Sequence, residues 1–174
     1  MATPFARVII RTPGVELTVD QEGLKVLAYR ISREANSGKL KRDLVAGLRA
    51  ALAPAAQDAR ESILAMASQG RWRESGGSLR AAIAAKITTQ VRFTGSAVGA
   101  SVRARKTGMP RKFNLAPKRT NSPKGWRRRV FGGVWIVQMG KPNWFDDPMR
   151  AGRERYRAAC LLALEKMSLR LKGL

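Results

Sequence analysis

The sequence contains no histidine and a single cysteine, Cys160, among its 174 residues. Histidine and cysteine provide most zinc and iron ligands in proteins, so no metal site of the usual Cys/His type is expected. General bases and nucleophiles are also scarce, because acidic residues are few and scattered. The one adjacent acidic pair, Asp146-Asp147, precedes Pro148 and is typical of a helix start. We therefore expect no enzyme activity, no metal and no cofactor.

Long apolar runs are also missing from the sequence. The uncharged apolar stretches are short, such as Gly132–Gln138, whereas a membrane-spanning helix needs about 20 mostly apolar residues. Met1–Ile10 lacks the basic region and long apolar segment of a signal peptide. A lone cysteine cannot form an internal disulfide, which fits a reducing compartment. We expect no membrane among the partners.

Acidic residues are absent from the middle of the chain. The chain carries 34 Lys/Arg and 12 Asp/Glu, a net charge of +22. Between Ser75 and Lys141 there are 15 basic residues and no acidic one, whereas residues 1–74 carry 12 basic and 8 acidic residues. Self-repulsion on this scale destabilises an isolated subunit, so the charge predicts a polyanionic or acidic partner.

The spacing of apolar residues predicts an α+β fold in one domain, residues 1–174, and the 44% of hydrophobic residues suffices for a core. The predicted elements are, in order, a short hairpin or one broken edge strand over Phe5–Thr12 and Val15–Val19, a helix after Asp20, and a longer helix with an apolar stripe from Leu40 to Met66. They continue with a short helix over Ser78–Lys86, paired strands over Ile87–Thr94 and Ala97–Ala104, a strand over Gly133–Met139, and a final helix that Asp146 or Asp147 caps, with Pro148 at its first position. We therefore expect a small antiparallel sheet of about four strands, packed against a long N-terminal helical segment and a C-terminal helix, with a long basic loop.

Two details of the helices can be predicted from single residues. Pro54 lies inside the long apolar stripe and is expected to kink that helix or to split it. The last helix is expected to bury one apolar face, with Cys160 as a small buried hydrophobic residue. The other members of that face are Tyr156, Ala163, Leu164 and Met167.

A basic segment over residues 103–131 is the strongest candidate for function. Residues 105–131 lack clear periodicity and contain three prolines, which predicts a loop that leaves the sheet between two neighbouring strands. Lys141, Trp144 and Phe145, which follow the next strand, are predicted to anchor an interface. The candidate partner- or DNA-contacting residues in the segment are Arg103, Arg105, Lys106, Arg111, Lys112, Lys118, Arg119, Lys124, Trp126, Arg127, Arg128 and Arg129.

Three interpretations of the basic segment remain open from the residues alone. It can be a solvated, mobile loop. It can bind nucleic acid, with Lys and Arg on phosphates and Trp on bases, although no GXXG clamp, aromatic strand signature or zinc spacing is present. It can dock on a protein, since Arg and Trp are preferred interface anchors. Trp135, inside a predicted strand, is expected in the core.

One block of the chain resembles a known family. The block comprises Asn121–Arg129 (NSPKGWRRR), then Val130-Phe131-Gly132, a strand ending at Gln138, Gly140-Lys141-Pro142 and Trp144-Phe145. This order of motifs is similar to the tail-completion family of long-tailed bacteriophages related to phage Hong Kong 97, in particular to members from phages of actinobacteria. The similarity extends loosely over residues 20–167, and residues 121–150 are its specific part. The N-terminal segment Phe5–Thr12 looks longer than the family pattern.

The resemblance implies a structural virion protein of the neck or tail, assembled in the cytoplasm of the bacterial host. It implies a homo-oligomeric ring, expected to be hexameric, at the head–tail junction or the top of the tail tube. Such a ring completes the tail for head joining and lets double-stranded DNA pass through its lumen. The implied partners are neighbouring neck and tail proteins, namely a stopper or connector, a terminator and the tube. The alternative, based on charge, is a nucleic-acid-binding protein without sequence specificity.

A ring limits how many of these cations can contact DNA. Each neutralised phosphate steepens the logarithmic salt dependence of binding by about 0.9, so basic segments that all faced the lumen would hold DNA too tightly for it to slide. We therefore expect most of these side chains to contact acidic surfaces of neighbouring subunits or rings, and only a few to reach DNA.

Overall fold

The structure is a computed structural model that describes residues 9–11, 16–18, 21–67, 78–93, 99–106, 109 and 113–173. It has the α+β fold that the sequence predicts. Its elements are β1 (Ile9–Arg11), β2 (Glu16–Thr18), α1 (Gln21–Ser32), α2 (Ser37–Leu64), α3 (Leu79–Ala85), β3 (Ile87–Arg92), β4 (Gly99–Ala104), α4 (Ala116–Asn121), β5 (Trp126–Arg129), β6 (Trp135–Gln138), α5 (Asp146–Ala151) and α6 (Arg153–Leu171).

The described strands form two separate antiparallel sheets. The larger sheet has the order β1-β2-β4-β3, in which β3 and β4 pair from Ile87–Ala104 to Arg92–Gly99. This confirms the predicted strand pair. The N-terminal strands form a hairpin that joins the sheet where Leu17 of β2 pairs with Val102 of β4. The smaller sheet consists of β5 and β6 alone.

Helix α2 is the longest element and lies at the centre of the molecule, with β3 and β4 on one side and α6 on another. Its apolar stripe is buried as predicted, with Leu48 and Leu52 fully covered. The helix runs unbroken through Pro54, so the split that the sequence allowed does not occur. Pro54 and Ala50 both lie on the exposed side, where water can hydrate the Ala50 carbonyl that a proline leaves without a donor.

The C-terminal segment differs from the single helix that the sequence predicts. It is divided into α5 and α6 at Gly152. The ring of Tyr156 lies against this glycine, so a Cβ there would collide with it. Asp146 and Asp147 belong to the first turn of α5, and Phe145 occupies the N-cap position. The prediction of an aspartate cap is therefore wrong.

The core lies between the larger sheet and the helices. The sheet contributes Ile87 and Val102, and α6 contributes Tyr156, Cys160 and Met167 as predicted. Cys160 is completely buried among apolar side chains. No helix within the described parts of the chain is long and apolar enough to cross a membrane.

Candidate assembly interface

The end of the predicted basic loop and the strand that follows it form a β-hairpin. β5 and β6 pair in antiparallel register from Trp126–Gln138 to Arg129–Trp135. The prediction that the strand near 133–139 joins the main sheet is therefore wrong, since β6 pairs with β5 in a sheet of its own. Apolar periodicity identifies a strand but carries no information about its neighbour, and the short, arginine-rich β5 does not have the composition of a strand.

Glycines form the tip of this hairpin. Gly132 and Gly133 have φ values of 83° and 81°, a backbone region that favours glycine. The Val130 amide donates to the Val134 carbonyl (2.9 Å), and the Gly133 amide donates to the Val130 carbonyl (3.1 Å). Arg129 Nε also donates to the Gly133 carbonyl (3.3 Å). The Gly-Gly dipeptide is the sequence signal that could have identified this turn.

One face of the hairpin combines arginines with exposed apolar side chains. Residues that are directly opposite in an antiparallel pair lie on the same face, so Arg127 shares a face with Val137, and Arg129 shares it with Trp135. We call these four residues the arginine–tryptophan face. Trp135 is 58% exposed and Val137 is 60% exposed. The expectation that Trp135 lies in the core is therefore wrong.

The opposite face of the hairpin is more covered. It carries Trp126 opposite Gln138, both half-buried, and Arg128 opposite Ile136. Ile136 is 37% exposed, the least of the large apolar side chains exposed on β6. The arginine–tryptophan face is thus the side on which a partner would cover more apolar surface.

The cations of the hairpin have no acidic neighbour in the parts of the chain that the structure describes. The side chains of Arg127 and Arg128 make neither an ion pair nor a hydrogen bond there, and the Arg129 side chain bonds only to a backbone carbonyl. All three side chains are exposed. Three adjacent cations for which the described residues provide no counter-charge are therefore available to an external anion.

The other predicted basic residues do not form one cluster. Lys118, Arg119 and Lys124 are exposed on α4 and the turn that leads into β5. Arg103 is half-buried in β4 of the main sheet, and Arg105 and Lys106 are exposed just after it. Arg111 and Lys112 lie outside the described residues. The structure thus groups part of the set at the hairpin and its base.

Asn121, the last residue of α4, closes the base of the hairpin. Its backbone carbonyl accepts from the Asn143 amide (2.9 Å). Its side-chain Oδ1 accepts from the Phe145 amide (2.9 Å), and its Nδ2 donates to Asp146 Oδ2 (2.7 Å). One buried asparagine therefore binds the chain before the hairpin to the chain after it.

Thr120 adds a second contact at this base. Its hydroxyl donates to the Ala116 carbonyl (2.8 Å) and accepts a hydrogen bond from Trp144 Nε1 (3.1 Å). Gly140 lies directly against Thr120, and a Cβ on Gly140 would lie 2.5 Å from the Thr120 Cα. We call these contacts, with those of Asn121, the base clamp. The clamp fixes both ends of residues 122–139 to the folded body.

The three predicted interface anchors belong to this support and not to an exposed surface. Trp144 is 1% exposed and Phe145 is fully buried, with their rings edge to face at 5.6 Å between centroids. Lys141 Nζ donates to the backbone carbonyl (2.9 Å) and the hydroxyl (3.1 Å) of Ser62 in α2. We therefore correct the prediction: a partner cannot contact Trp144 or Phe145 in this structure, because the subunit's own core covers them.

The sequence pattern did not identify the residues that form the exposed face of the hairpin or those that support its base. Trp135 and Val137 were not assigned to the contact surface, and Thr120 and Asn121 were not assigned to its support. The run of apolar residues from Val134 to Val137 carried the only available signal. Such a run in a strand predicts burial on both faces, and here the side chains on both faces are exposed.

The remaining polar cluster has a structural role. The hydroxyl of Tyr156 donates to the carboxylate of Asp58 in α2, which also pairs with Arg155. Burial, followed by the hydrogen bond to Asp58, raises the pKa of Tyr156. Burial likewise raises the pKa of Cys160 to about 11, so its thiol is protonated at neutral pH. Within the described residues no group of His, Cys, Asp and Glu is arranged to hold a metal ion.

No known protein-family model, no curated protein and no solved structure matches this chain.

Proposed function

We propose that this chain is a structural virion protein that forms a homo-oligomeric ring in the neck or upper tail of a long-tailed bacteriophage. Such a ring completes the tail for head joining and lets DNA pass through its lumen. In this role the hairpin is a docking element that each subunit presents to a neighbouring protein. The proposal does not require catalysis, a metal or a cofactor.

The observation that carries the proposal is the exposure of apolar side chains on a clamped hairpin. An isolated two-stranded hairpin is at best marginally stable in water, and exposed apolar residues on it favour association. Val134, Trp135 and Val137 are each more than half exposed, and covering one such side chain contributes about 1 kcal/mol. A hairpin of this composition, held rigidly at its base, is typical of a protein that is completed by its neighbours.

The resemblance of residues 121–150 supplies the specific assembly. In the structure this block is one continuous unit, consisting of the end of α4, the hairpin, the turn that contains Trp144, and α5. The residues that carry the resemblance thus include both the hairpin and much of the clamp that supports it. This is a reason to treat the block as one functional module, and it supports the family-based proposal over one that depends on charge alone.

The alternative function is nucleic-acid binding without sequence specificity. It is favoured by Arg127–Arg129, three exposed cations without acidic partners among the described residues. Such side chains can neutralise phosphates regardless of base sequence.

Size-exclusion mass and DNA binding of the purified chain distinguish the two functions. The ring proposal expects a closed oligomer, co-purification with tail proteins, and labelling at the neck of particles by an antibody against this chain. A stable monomer with micromolar, salt-sensitive affinity for duplex DNA would overturn it and support the alternative.

A further inference from the structure

We infer that the arginine–tryptophan face binds an acidic protein other than this chain, on a surface where carboxylates border an apolar groove. This inference rests on the proposed function, because it names the kind of protein that the same hairpin would bind. It concerns Arg127, Arg129, Trp135 and Val137, together with Met139, which follows β6 and is 51% exposed.

Nucleic acid fits only part of this surface. Arginine can pair with phosphate and tryptophan can stack on a base. Val137 and Met139 can neither pair with phosphate nor stack on a base, because their side chains are uncharged and not aromatic, and a duplex presents a charged backbone. They make up more than half of the apolar side chains of the surface and are each more than half exposed. A nucleic acid would leave them in water, whereas an apolar groove in a protein would cover them.

Among the residues that the structure describes, a second copy of this chain offers few carboxylates that are not already bonded within their own chain. Most acidic side chains that the structure describes already have a partner within their own subunit. Glu34 and Glu165 are the described acidic side chains for which no such partner is seen, and they are single carboxylates, Glu34 in the turn between α1 and α2 and Glu165 on α6. The bonded pairs are Asp43–Arg170, Asp58–Arg155, Asp147–Arg150, Glu154–Arg157, Asp146–Asn121 and Glu61–Gln57.

Exchange of the four arginine–carboxylate pairs between copies would bring no net gain. A surface ion pair contributes about 0–1 kcal/mol, so replacing an internal Arg–Asp pair with an external one leaves the electrostatic free energy nearly unchanged. Two copies that each carry a net charge of +22 also repel one another. Charge complementarity therefore favours a different and acidic protein as the occupant of this face, and it leaves contacts between copies to other surfaces.

Binding of three defined probes to the purified full-length chain tests this inference. The probes are a peptide in which glutamate alternates with leucine, a peptide in which glutamate alternates with serine, and a DNA duplex of matched charge. Fluorescence anisotropy gives the affinity of each. We expect the leucine peptide to bind about tenfold or more tightly than the serine peptide, as covering a hot-spot aromatic residue requires.

Two sets of substitutions separate the apolar from the charged contribution. The first is a triple variant, Trp135→Thr with Val137→Thr and Met139→Thr, in which threonine is suited to a strand. This variant should lose the preference for the leucine peptide. The double variant Arg127→Gln with Arg129→Gln should lower the affinity for both peptides by similar factors. Leu162→Gln, which changes a 52% exposed leucine on α6, is the matched control and should change nothing. Circular dichroism and thermal unfolding establish that each variant is folded.

Three outcomes would overturn the inference. One is equal affinity for the two peptides. Another is tighter binding of the DNA duplex that is lost on Trp135→Thr. The third is loss of self-association in the threonine variant, which would make a second copy the occupant. A different result would refute the ring proposal. This result is a wild-type chain that remains monomeric and never enters particles, whatever the peptide affinities are.

Discussion

The indole Nε1 of Trp144 donates a hydrogen bond to the hydroxyl of Thr120 across 3.1 Å, and both side chains are buried. The contact joins the segment before the hairpin to the segment after it, from inside the core. A tryptophan that the sequence suggests as an interface anchor thus helps to hold the base of the hairpin in place. The hairpin is exposed, and its orientation depends on buried residues.

Asn121→Asp should destabilise the protein by about 2–3 kcal/mol. The remaining acceptor oxygen can still bind the Phe145 amide, but the new carboxylate oxygen would face Asp146 at the 2.7 Å separation now occupied by a hydrogen bond. Adding Asp146→Asn restores a donor and an acceptor in exchanged positions, so most of the loss should be recovered. Urea unfolding of the two single variants and the double variant measures the coupling. Additive losses would show that the contact between the two side chains does not contribute to stability.

Gly140→Ala should destabilise the base clamp by about 1–3 kcal/mol. The added Cβ would lie 2.5 Å from both the Cα and the carbonyl oxygen of Thr120, which are backbone atoms and cannot move aside easily. Gly38→Ala is the matched control, because the new Cβ meets nothing within 4 Å and position 38 lies in the first turn of α2. Alanine favours helix over glycine, so the control should be neutral or slightly stabilising. Thermal unfolding compares the two, and equal midpoints would contradict the close approach at Gly140.

Shortening the hairpin tip should prevent assembly without impairing folding. Arg128 and Ile136 are directly opposite, so replacing residues 129–135 with Asn-Gly creates a two-residue turn of the preferred type. The described side chains removed are mostly exposed, and we expect the unfolding midpoint to change by no more than a few degrees, about the effect of 1 kcal/mol. Incorporation into particles should be lost. A shortened chain that assembles normally would exclude the hairpin as the docking element.

Cys160 should be unreactive toward thiol reagents at neutral pH until the protein unfolds. Burial raises its pKa from about 9 to about 11, so the thiolate is scarce and inaccessible. Because the folded-state pKa is the higher one, the stability linked to this group is fully present below pH 9 and is lost as the pH rises toward 11. Tyr156 has a raised pKa for the same reason and acts in the same direction at higher pH. Unfolding free energies from pH 8 to 11 should fall less steeply in Cys160→Ala, and identical slopes would contradict the assignment.

The amino-acid sequence determined the parts of this protein that depend on local pattern. The apolar stripe from Leu40 to Met66 predicted α2. Alternation of apolar residues predicted the β3–β4 pair and its register, which is centred between residues 95 and 96. The missing acids between Ser75 and Lys141 identified the charged region. These features follow from helical and strand periodicity and from charge counting, which need no knowledge of distant neighbours.

Only the tertiary structure decided which of the candidate residues face outward. Trp135 lies in an apolar run of the sequence and Trp144 lies between Asn143 and Phe145, yet Trp135 is exposed on the hairpin and Trp144 is buried against Thr120. Whether a strand is covered depends on whether another element lies over it, and that is a long-range property. The exposure of β6 and the burial of the clamp therefore follow from the pairing of β5 with β6 and from the contacts of Asn121, neither of which is encoded in local periodicity.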